Sequence, residues 1–432
     1  MSAAAPPTID GLPASPESLR QTVFQRAFPA LHHRNYQLYF YGQLVSLVGS
    51  WAQIVGQSWL VWTITHSALM LGVIAGVQSL PILLFSLYGG AVTDRVSRRT
   101  LLIVTQASAA GLALTLAVLV TASLVGAANP YSIYVIGALA FALGTVNAFD
   151  APARQAFVIE LVGRRHLLNA ISLNSSVFNA ARIVGPAVAG LLIRYVGIGI
   201  CFYINAASFI PVIAALFMIR VPRVTRVSTG SSLLANVREG LSYAMSEPVV
   251  RDIYLTVIIL SVLVMSYISI LPVFADQVLH AGAAGYSALT VANGVGALVA
   301  ALTLAVRRGG AHSRGWWIVF GSISYALLVG AFGLSTSLPL SMLLLFVGGW
   351  AGVGFLARAN TAIQVAVPEE MRGRVMSIYI FVLMGVSPIA AVQLGVLAHL
   401  VGAPLAVASE GIVSAVLIGL LHNRRRAVVE RA

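Results

Sequence analysis

Uncharged apolar stretches alternate with short polar clusters along the chain, and each stretch is about 20 residues long, enough to cross a ~30 Å hydrocarbon core at 1.5 Å per helical residue. Such runs fall near 36–64, 68–92, 100–122, 131–153, 168–193, 197–219, 250–273, 284–306, 315–335, 338–361, 374–400 and 402–421, which predicts twelve spans. Several contain Gly, Pro, Ser or Asn, tolerated in membrane helices because neighbouring helices satisfy the freed backbone groups. The longest polar connection, 220–249, begins RVPRVTRVSTGSS; Leu233, Leu234, Val237, Leu241 and Ala244 then recur at helical spacing. It predicts a linker followed by an amphipathic helix at a membrane surface.

That connection divides the chain into an N-terminal tail (1–34), a six-helix half (35–219), the linker (220–249), a second six-helix half (250–421) and a C-terminal tail (422–432). Self-comparison at an offset of 205 pairs Gly144 with Gly349, Ser172 with Ser377 and Gly190 with Gly395. Two halves related as parallel repeats are a transporter architecture, with the path between them at mid-membrane.

Composition moves the picture from one anchored domain to an embedded body. Of 432 residues 59% are AVILMFWYC and 9% charged, against roughly 45–50% and about 25% in soluble domains, so an ordinary soluble enzyme is excluded. The net charge is +13 and every basic residue is Arg. Of the 26, all but Arg182 and Arg194 fall in the tails, in the connections 93–99, 154–167, 220–249, 307–314 and 362–373, or on adjoining helix ends. By the positive-inside rule that face, with both termini, is cytoplasmic, which predicts a multi-pass inner-membrane protein. The basic charge then needs no nucleic acid.

The single Cys201 lies in an apolar run and excludes an intrachain disulfide or Cys-based metal site. Eight His residues show no ligand spacing beyond His32-His33. No metal or other cofactor is expected, and with no Lys there is no Gly-x-x-x-x-Gly-Lys-Ser/Thr nucleotide loop. Residues 1–20 lack the apolar core of a cleavable signal and read as a cytoplasmic tail.

Candidate chemistry begins after the second span, in GGAVTDRVSRRTLL at 89–102. Gly90 and Asp94 share one helix face, where a missing side chain lets another helix approach the carboxylate. Asp94 is then placed to cap that helix and to pair with Arg98. With Arg95 and Arg99 the segment resembles the loop 2–3 signature of the major facilitator superfamily, Gly-x-x-x-Asp-Arg-x-Gly-Arg-Arg, with Ser97 at the usual Gly position. The second half carries only a degenerate copy, AVRRGGAHSRG at 305–315, without the acid. The stretch 147–192, with IQVAVPEEMRGRVMSIY at 363–379, is similar to the transmembrane secretion effectors, the bacterial exporter branch that contains the enterobactin exporter. In the superfamily an acid at the cytoplasmic end of span 4 engages the loop's second Arg. The resemblance places Asp150 there and implies an Asp94–Arg98–Asp150 relay that latches the cytoplasmic side. Gly185, Pro186 and Gly190 resemble an antiporter signature, and small residues with a proline also let span 5 bend and pack closely.

Polar positions inside the spans are the remaining candidates. Gln43, Ser46, Ser50, Gln53 and Gln57 form one stripe on span 1, and Ser172, Ser175, Asn179 and Arg182 another on span 5. Helices 1, 4, 7 and 10 surround the central cavity in the superfamily, which implies that the span 1 stripe and Asn147 of span 4 line it. Arg182 is expected near the central path, its partner a span 5 neighbour, a carbonyl freed by Pro186 or a negative group of the substrate. Glu410 reads as the only carboxylate at the membrane centre, a candidate for the proton path or a protonated acid hydrogen-bonded to a neighbour. The resemblance implies a monomeric secondary transporter working by alternating access, with proton-coupled export of an amphiphilic organic molecule such as a siderophore or drug. A lipid flippase or importer, and a non-transporting receptor or scaffold, are the alternatives.

Overall fold

The ends of the helices are set by residues that cannot continue them. In the computed structural model, residues 28–220, 233–306 and 314–429 are described, apart from a few side chains, those of Asp94 and Arg164 among them. Helix α1 (Arg34–Thr65) stops at His66, whose φ of 45° is left-handed. Ser67 opens α2 (Ala68–Arg95) by accepting a hydrogen bond from the Met70 amide. Ser97 opens α3 (Arg98–Thr121) in the same way, accepting from Thr100 at a φ of −57°. Serine is a favoured N-cap, so this turn needs no glycine.

Helix α4 (Ser132–Gly163) and α5 (Arg165–Tyr195) meet at Gly163 alone, with φ 67° and ψ 174°, a conformation only glycine adopts readily. The expected connection at 154–167 is therefore corrected to helix on either side of one residue. Ala153, Phe157, Val158, Leu161 and Val162 are buried along one face of this extension. It is amphipathic, and its solvated side supplied the polar residues that read as a loop.

Helix α6 (Gly199–Met218) completes the first half. After the linker segment come α7 (Leu233–Ser246), α8 (Pro248–Val278), α9 (Gly282–Val306) and α10 (Arg314–Gly333). They are followed by α11 (Leu338–Ala366), α12 (Glu369–Val401) and α13 (Ala403–Val429). Among the described residues eleven helices are long and apolar enough to span a bilayer; α10, with the apolar stretch Trp317–Gly333, is the twelfth of the layout. The N-terminal tail to 27, the linker residues 221–232 and most of the degenerate loop at 305–315 lie outside the described residues. Helix α7 packs on the start of α12: a Cβ on Gly240 would meet Ile378 and Arg374 within 3.1 Å, and Arg374 donates to Glu239 at 2.8 Å.

Close backbone approaches show the two halves and their pseudo-symmetry. A Cβ on Gly144 of α4 would sit 2.0 Å from the Gln78 carbonyl of α2. Its repeat partner Gly349 of α11 would meet the Asn293 carbonyl of α9 at 2.3 Å. The second aligned pair joins one half to the other. Gly190 of α5 abuts Ser287 of α9, while Gly395 of α12 abuts Ala68 and Gly72 of α2. Small residues let membrane helices approach in this way, and dispersion then holds them.

These inter-half contacts lie at the arginine-poor face. Trp62 of α1 donates to Asp276 of α8 at 2.9 Å, and Trp59 stacks on Tyr286 of α9 at 6.3 Å. Toward the arginine-rich face the same surface of α5 changes character. Gly190 and Pro186 are buried, Arg182 and Asn179 partly exposed, Ser175 and Ser172 exposed. All six residues share one helix face. The halves are therefore sealed at one end and separated by a cleft that opens to the other.

Candidate functional site

A charge pair with a buried acid and a one-third exposed arginine occupies the N-terminal half. Asp150 is 2% exposed and accepts hydrogen bonds from Thr105 Oγ1 and Gln106 Nε2 of α3, both at 2.8 Å. Arg154, one turn further along α4, binds the other carboxylate oxygen, with its Nε at 3.0 Å. It also donates to Gln43 Oε1 of α1 at 3.2 Å, and the Gln43 amide donates to Tyr39 at 3.2 Å. The Asp150–Arg154 spacing is i,i+4, so one helix preorganises both charges. A buried pair is tolerated only when such further hydrogen bonds satisfy the remaining atoms.

Above the pair the amides match each other. Asn205 of α6 donates to Gln53 at 2.7 Å, and Gln57 donates to Gln78 at 2.8 Å. Together with Asn147 and Asp150 these side chains line a cavity of about 90 Å³, room for several waters. Its walls come from α1, α2, α3, α4 and α6. The expected lining of a path between the halves by Gln43, Gln53, Gln57 and Asn147 is thus corrected: these residues face the interior of one half. The stripe is real, but its amides find one another, at lower cost than facing lipid and without a wide channel.

The expected Arg98–Asp150 contact is also corrected. Arg98 lies on the first turn of α3, whereas the residues that hold Asp150 are two turns further, ~10 Å at 1.5 Å per residue. Arg98 instead pairs with Glu160 at 3.0 Å and donates to the Ala156 carbonyl at 2.8 Å, both on the amphipathic extension of α4. Arg99 donates to the Leu216 and Phe217 carbonyls at 2.6 and 2.9 Å, where a cation complements the C-terminal end of α6. Arg95 is exposed. The Asp94 side chain lies outside the described ones, so its place in the relay has no counterpart here. Gly90 has open space where a Cβ would stand; the close-approach glycine is its neighbour Gly89, 2.3 Å from the Ala148 carbonyl.

Arg182 lies at the floor of the cleft. Its Nη2 donates to Asn293 Oδ1 of α9, in the opposite half, at 2.5 Å. Asn293 in turn donates to the Tyr267 hydroxyl of α8 at 2.9 Å. The guanidinium carbon stands 6.0 Å from the ring centre of Trp51 on α1. Among the described residues no carboxylate pairs with Arg182. A central arginine costs at least ~2.5–3.5 kcal/mol on insertion scales, and a cation over an aromatic face recovers part of that. Tyr267 sits in an irregular stretch of α8, where a π turn at Leu260–Val264 gives way to a 3₁₀ turn at Met265–Ile270. Asn179 donates to its own helix, at the Ser175 carbonyl.

The antiporter-like residues divide between two partners. Gly185 packs on Trp51 and Val48 of α1, within its own half, and Gly190 on α9 across the seam. Glu410 is buried in α13 and accepts from Gln393 of α12 at 2.7 Å, which ties two helices of the second half. Asp150, toward the arginine-rich end of α4, is a second buried carboxylate. Sequence reasoning missed Arg154, Glu160 and Asn293. The first had a signal in its i,i+4 spacing from Asp150, and the last in being the one Asn of an otherwise small and apolar span.

A family model described as transmembrane secretion effector matches residues 25–430. The enterobactin exporter EntS of Shigella boydii is 26% identical over 399 residues, covering 90% of this chain and 91% of that protein. The multidrug efflux pump Tap of Mycolicibacterium fortuitum is 25% identical over 371 residues, 84% and 89% of the two chains. The staphyloferrin A transporter of Staphylococcus aureus is 25% identical over 273 residues, 62% of this chain and 66% of that one. Among solved structures, the nucleoside transporter NupG matches with a TM-score of 0.69 at 10% identity, over 90% of this chain and 98% of that chain. A bacterial homologue of the human lysosomal transporter Spinster, inward-facing and occupied, matches with a TM-score of 0.67 at 12% identity, over 90% and 97%. At such identities these likenesses show the fold alone.

Proposed function

The chain belongs to the transmembrane secretion effector family, membrane transporters of the major facilitator superfamily rather than enzymes, and from that membership we propose that it is an inner-membrane exporter of amphiphilic organic molecules, driven by proton entry. One observation carries the reading: the cleft between the halves opens to the arginine-rich face and is sealed at the other by the contacts of α2 with α12 and of α5 with α9. The positive-inside rule makes the open side cytoplasmic. A solute then enters the cleft from the cytoplasm and leaves when the seam opens and the arginine-rich ends close, which is alternating access. Named relatives that handle siderophores and drugs support the substrate class.

The coupling proton is assigned to Asp150. Its carboxylate borders a water-sized cavity and is held by Arg154, Thr105 and Gln106. Protonation removes the charge that holds Arg154 and frees that guanidinium from Asp150, leaving it on Gln43 of α1. A proton entering down 100 mV supplies about 2.3 kcal/mol from the potential alone. The test is uptake of candidate siderophores and drugs into everted vesicles under an imposed pH gradient, with Cys placed at Ala128 and at Ser228 on a Cys201→Ala background to read orientation. Gradient-dependent uptake, with impermeant maleimide labelling Ala128→Cys in intact cells, is expected. Uptake that ignores the gradient removes proton coupling, and labelling at Ser228→Cys instead reverses the orientation.

A further inference from the structure

We propose that Arg182 is the anion-binding group of the cleft, and that the substrate's negative group takes it from Asn293, so that binding itself loosens the bond between the halves. This rests on the export reading and adds the substrate's chemistry to it: an organic anion carrying a carboxylate or phenolate on an aromatic body.

Three observations converge on the site. First, Arg182 has five N–H donors and makes one hydrogen bond, to the neutral Asn293 amide, with no carboxylate paired to it among the described residues. A cation left unpaired at the floor of a solvent-open cleft is matched by an anion that arrives from solution. Second, its surroundings are aromatic. Trp51 lies at 6.0 Å, and Phe178, half-exposed one turn toward the open end, meets Trp51 edge to face at 5.6 Å. A ring system entering the cleft stacks against these two while its anionic end reaches Arg182. Third, the present partner of Arg182 belongs to the opposite half. Asn293 is fixed by the Tyr267 hydroxyl and the Leu345 carbonyl, so it stays with α8, α9 and α11 when released.

The geometry couples recognition to motion. Next to this bond α5 and α9 approach closely, since a Cβ on Gly294 would meet Ile183 at 3.0 Å and the Arg182 carbonyl at 3.3 Å. A charge-assisted, bidentate contact to a carboxylate is stronger than one hydrogen bond to an amide oxygen. The anion therefore displaces Asn293, and the floor of the cleft loses the polar contact that joins the halves there. A ligand that exploits such a difference between states shifts the equilibrium by its differential affinity.

The test uses the full-length protein in proteoliposomes with an imposed pH gradient and two impermeant fluorescent probes, carboxyfluorescein as the aromatic anion and ethidium as the cation. Arg182→Gln is expected to reduce carboxyfluorescein transport at least tenfold more than ethidium transport, the ratio of the two rates being the readout because loss of the bond to Asn293 acts on both, and thermal melting of the purified variant shows that it is folded. Arg182→Lys should keep part of the anion transport with a raised KM, because it retains the charge and loses the planar fork. Asn293→Asp places a permanent rival carboxylate beside Arg182 and should lower the ratio of carboxyfluorescein to ethidium transport. Equal loss of both probes in Arg182→Gln and Arg182→Lys overturns the proposal, as does wild-type protein that moves ethidium and ignores carboxyfluorescein. Loss of labelled phosphatidylglycerol movement in place of carboxyfluorescein movement overturns it in favour of a lipid headgroup. Wild-type protein that moves neither probe nor any siderophore or drug fails the export reading itself.

Discussion

Adding one methyl group at Gly72 should turn the transporter toward its other face. Gly72 lies on the first turns of α2, at the seam, where a Cβ would stand 2.3 Å from the Ala391 carbonyl oxygen and 3.1 Å from the Gly395 Cα of α12. Both obstacles are backbone, so neither a rotamer change nor a flexible side chain relieves the overlap. An ordinary contact begins near 3.4 Å, and the helices must separate by roughly 1 Å, an overpacking strain of about 1–3 kcal/mol. This strain exists only while the seam is closed, because α2 and α12 belong to different halves. It therefore raises the energy of the closed-seam state alone and shifts the balance by roughly fivefold to somewhat over a hundredfold, at 1.4 kcal/mol per factor of ten.

The assay is the rate at which maleimide labels a Cys placed at Ser175, in the cleft, and one placed at Ser287, in the seam, each on a Cys201→Ala background. In Gly72→Ala the Ser287→Cys rate should rise and the Ser175→Cys rate fall, their ratio changing by about fivefold at the lower strain. Gly144→Ala is the control, since its Cβ clashes with the Gln78 carbonyl within one half and strains both states alike. It should lower thermal stability without moving the ratio of rates. Unchanged rates in a folded Gly72→Ala protein, or the same change in Gly144→Ala, would refute the reasoning.

Glu160→Gln leaves Arg98 with the Ala156 carbonyl alone; it should weaken the hold of α3 on the α4 extension and slow transport several-fold. A Glu160→Arg, Arg98→Glu swap should restore a measurable part of the rate, and no restoration would mean the pair has no role beyond filling space. Asp150→Asn strands the Arg154 charge beside a cavity rather than in a sealed core, so a stability loss of about 1–3 kcal/mol is expected instead of the ~3–5 kcal/mol of a fully buried broken pair. Transport in that variant should no longer respond to the pH gradient, measured in vesicles as substrate movement with and without it. His33 is held below its ordinary value by burial first, then by the positive charge of His166 and His32, and its Nε2 lies 2.9 Å from His166 Nδ1. The unfolded chain therefore binds the proton more readily, so this contact's contribution is complete above about pH 6.5 and is lost as pH falls through the depressed value. Proteolysis of the segment before α1 should accelerate on acidification across that window, and a rate independent of pH between 8 and 5 would exclude the mechanism.

What the sequence disclosed and what it hid follow from the range of the forces involved. Span count and the asymmetry of arginine were legible because bilayer thickness and the membrane's charge asymmetry act on every helix separately. The α4–α5 boundary was not. Arg154, Glu160, Arg164 and Arg165 read as a polar connection, and only the three-dimensional burial of Phe157 and Leu161 shows a helix that runs on to its turn at Gly163. The α1 stripe was visible as a stripe, but periodicity fixes only that Gln43, Gln53 and Gln57 share a face. Whether that face meets water or other amides depends on Asn205 and Gln78, which lie on different helices. The partner of Asp150 was within reach of local rules, since Arg154 stands four residues away, and a resemblance to Arg98 pairing outweighed it. Glu160 and Asn293 carry no local mark of their partners, 62 and 111 positions distant along the chain.

Helix α1 links the separate pieces of the site. Gln43 binds Arg154 of the internal charge pair; Trp51, eight residues on and ~12 Å along the helix, lies beneath Arg182; Trp59 and Trp62 close the seam against Tyr286 and Asp276. The side of α1 toward α6 is packed without slack: Gly42, Gly49 and Gly56 each admit no Cβ against Val212, Ser208 and Cys201 without a contact of 3.0 Å or less. A helix held that closely does not bend locally to serve one contact and spare the others, because close-packed interfaces switch between arrangements rather than deform continuously. Any change at Asp150 that alters how Arg154 holds Gln43 thus acts on the same rigid element that carries Trp51 to Arg182 and two tryptophans to the seam. If Asp150 takes the coupling proton as proposed, it needs no contact with the solute to bias which face is open, because both act on α1.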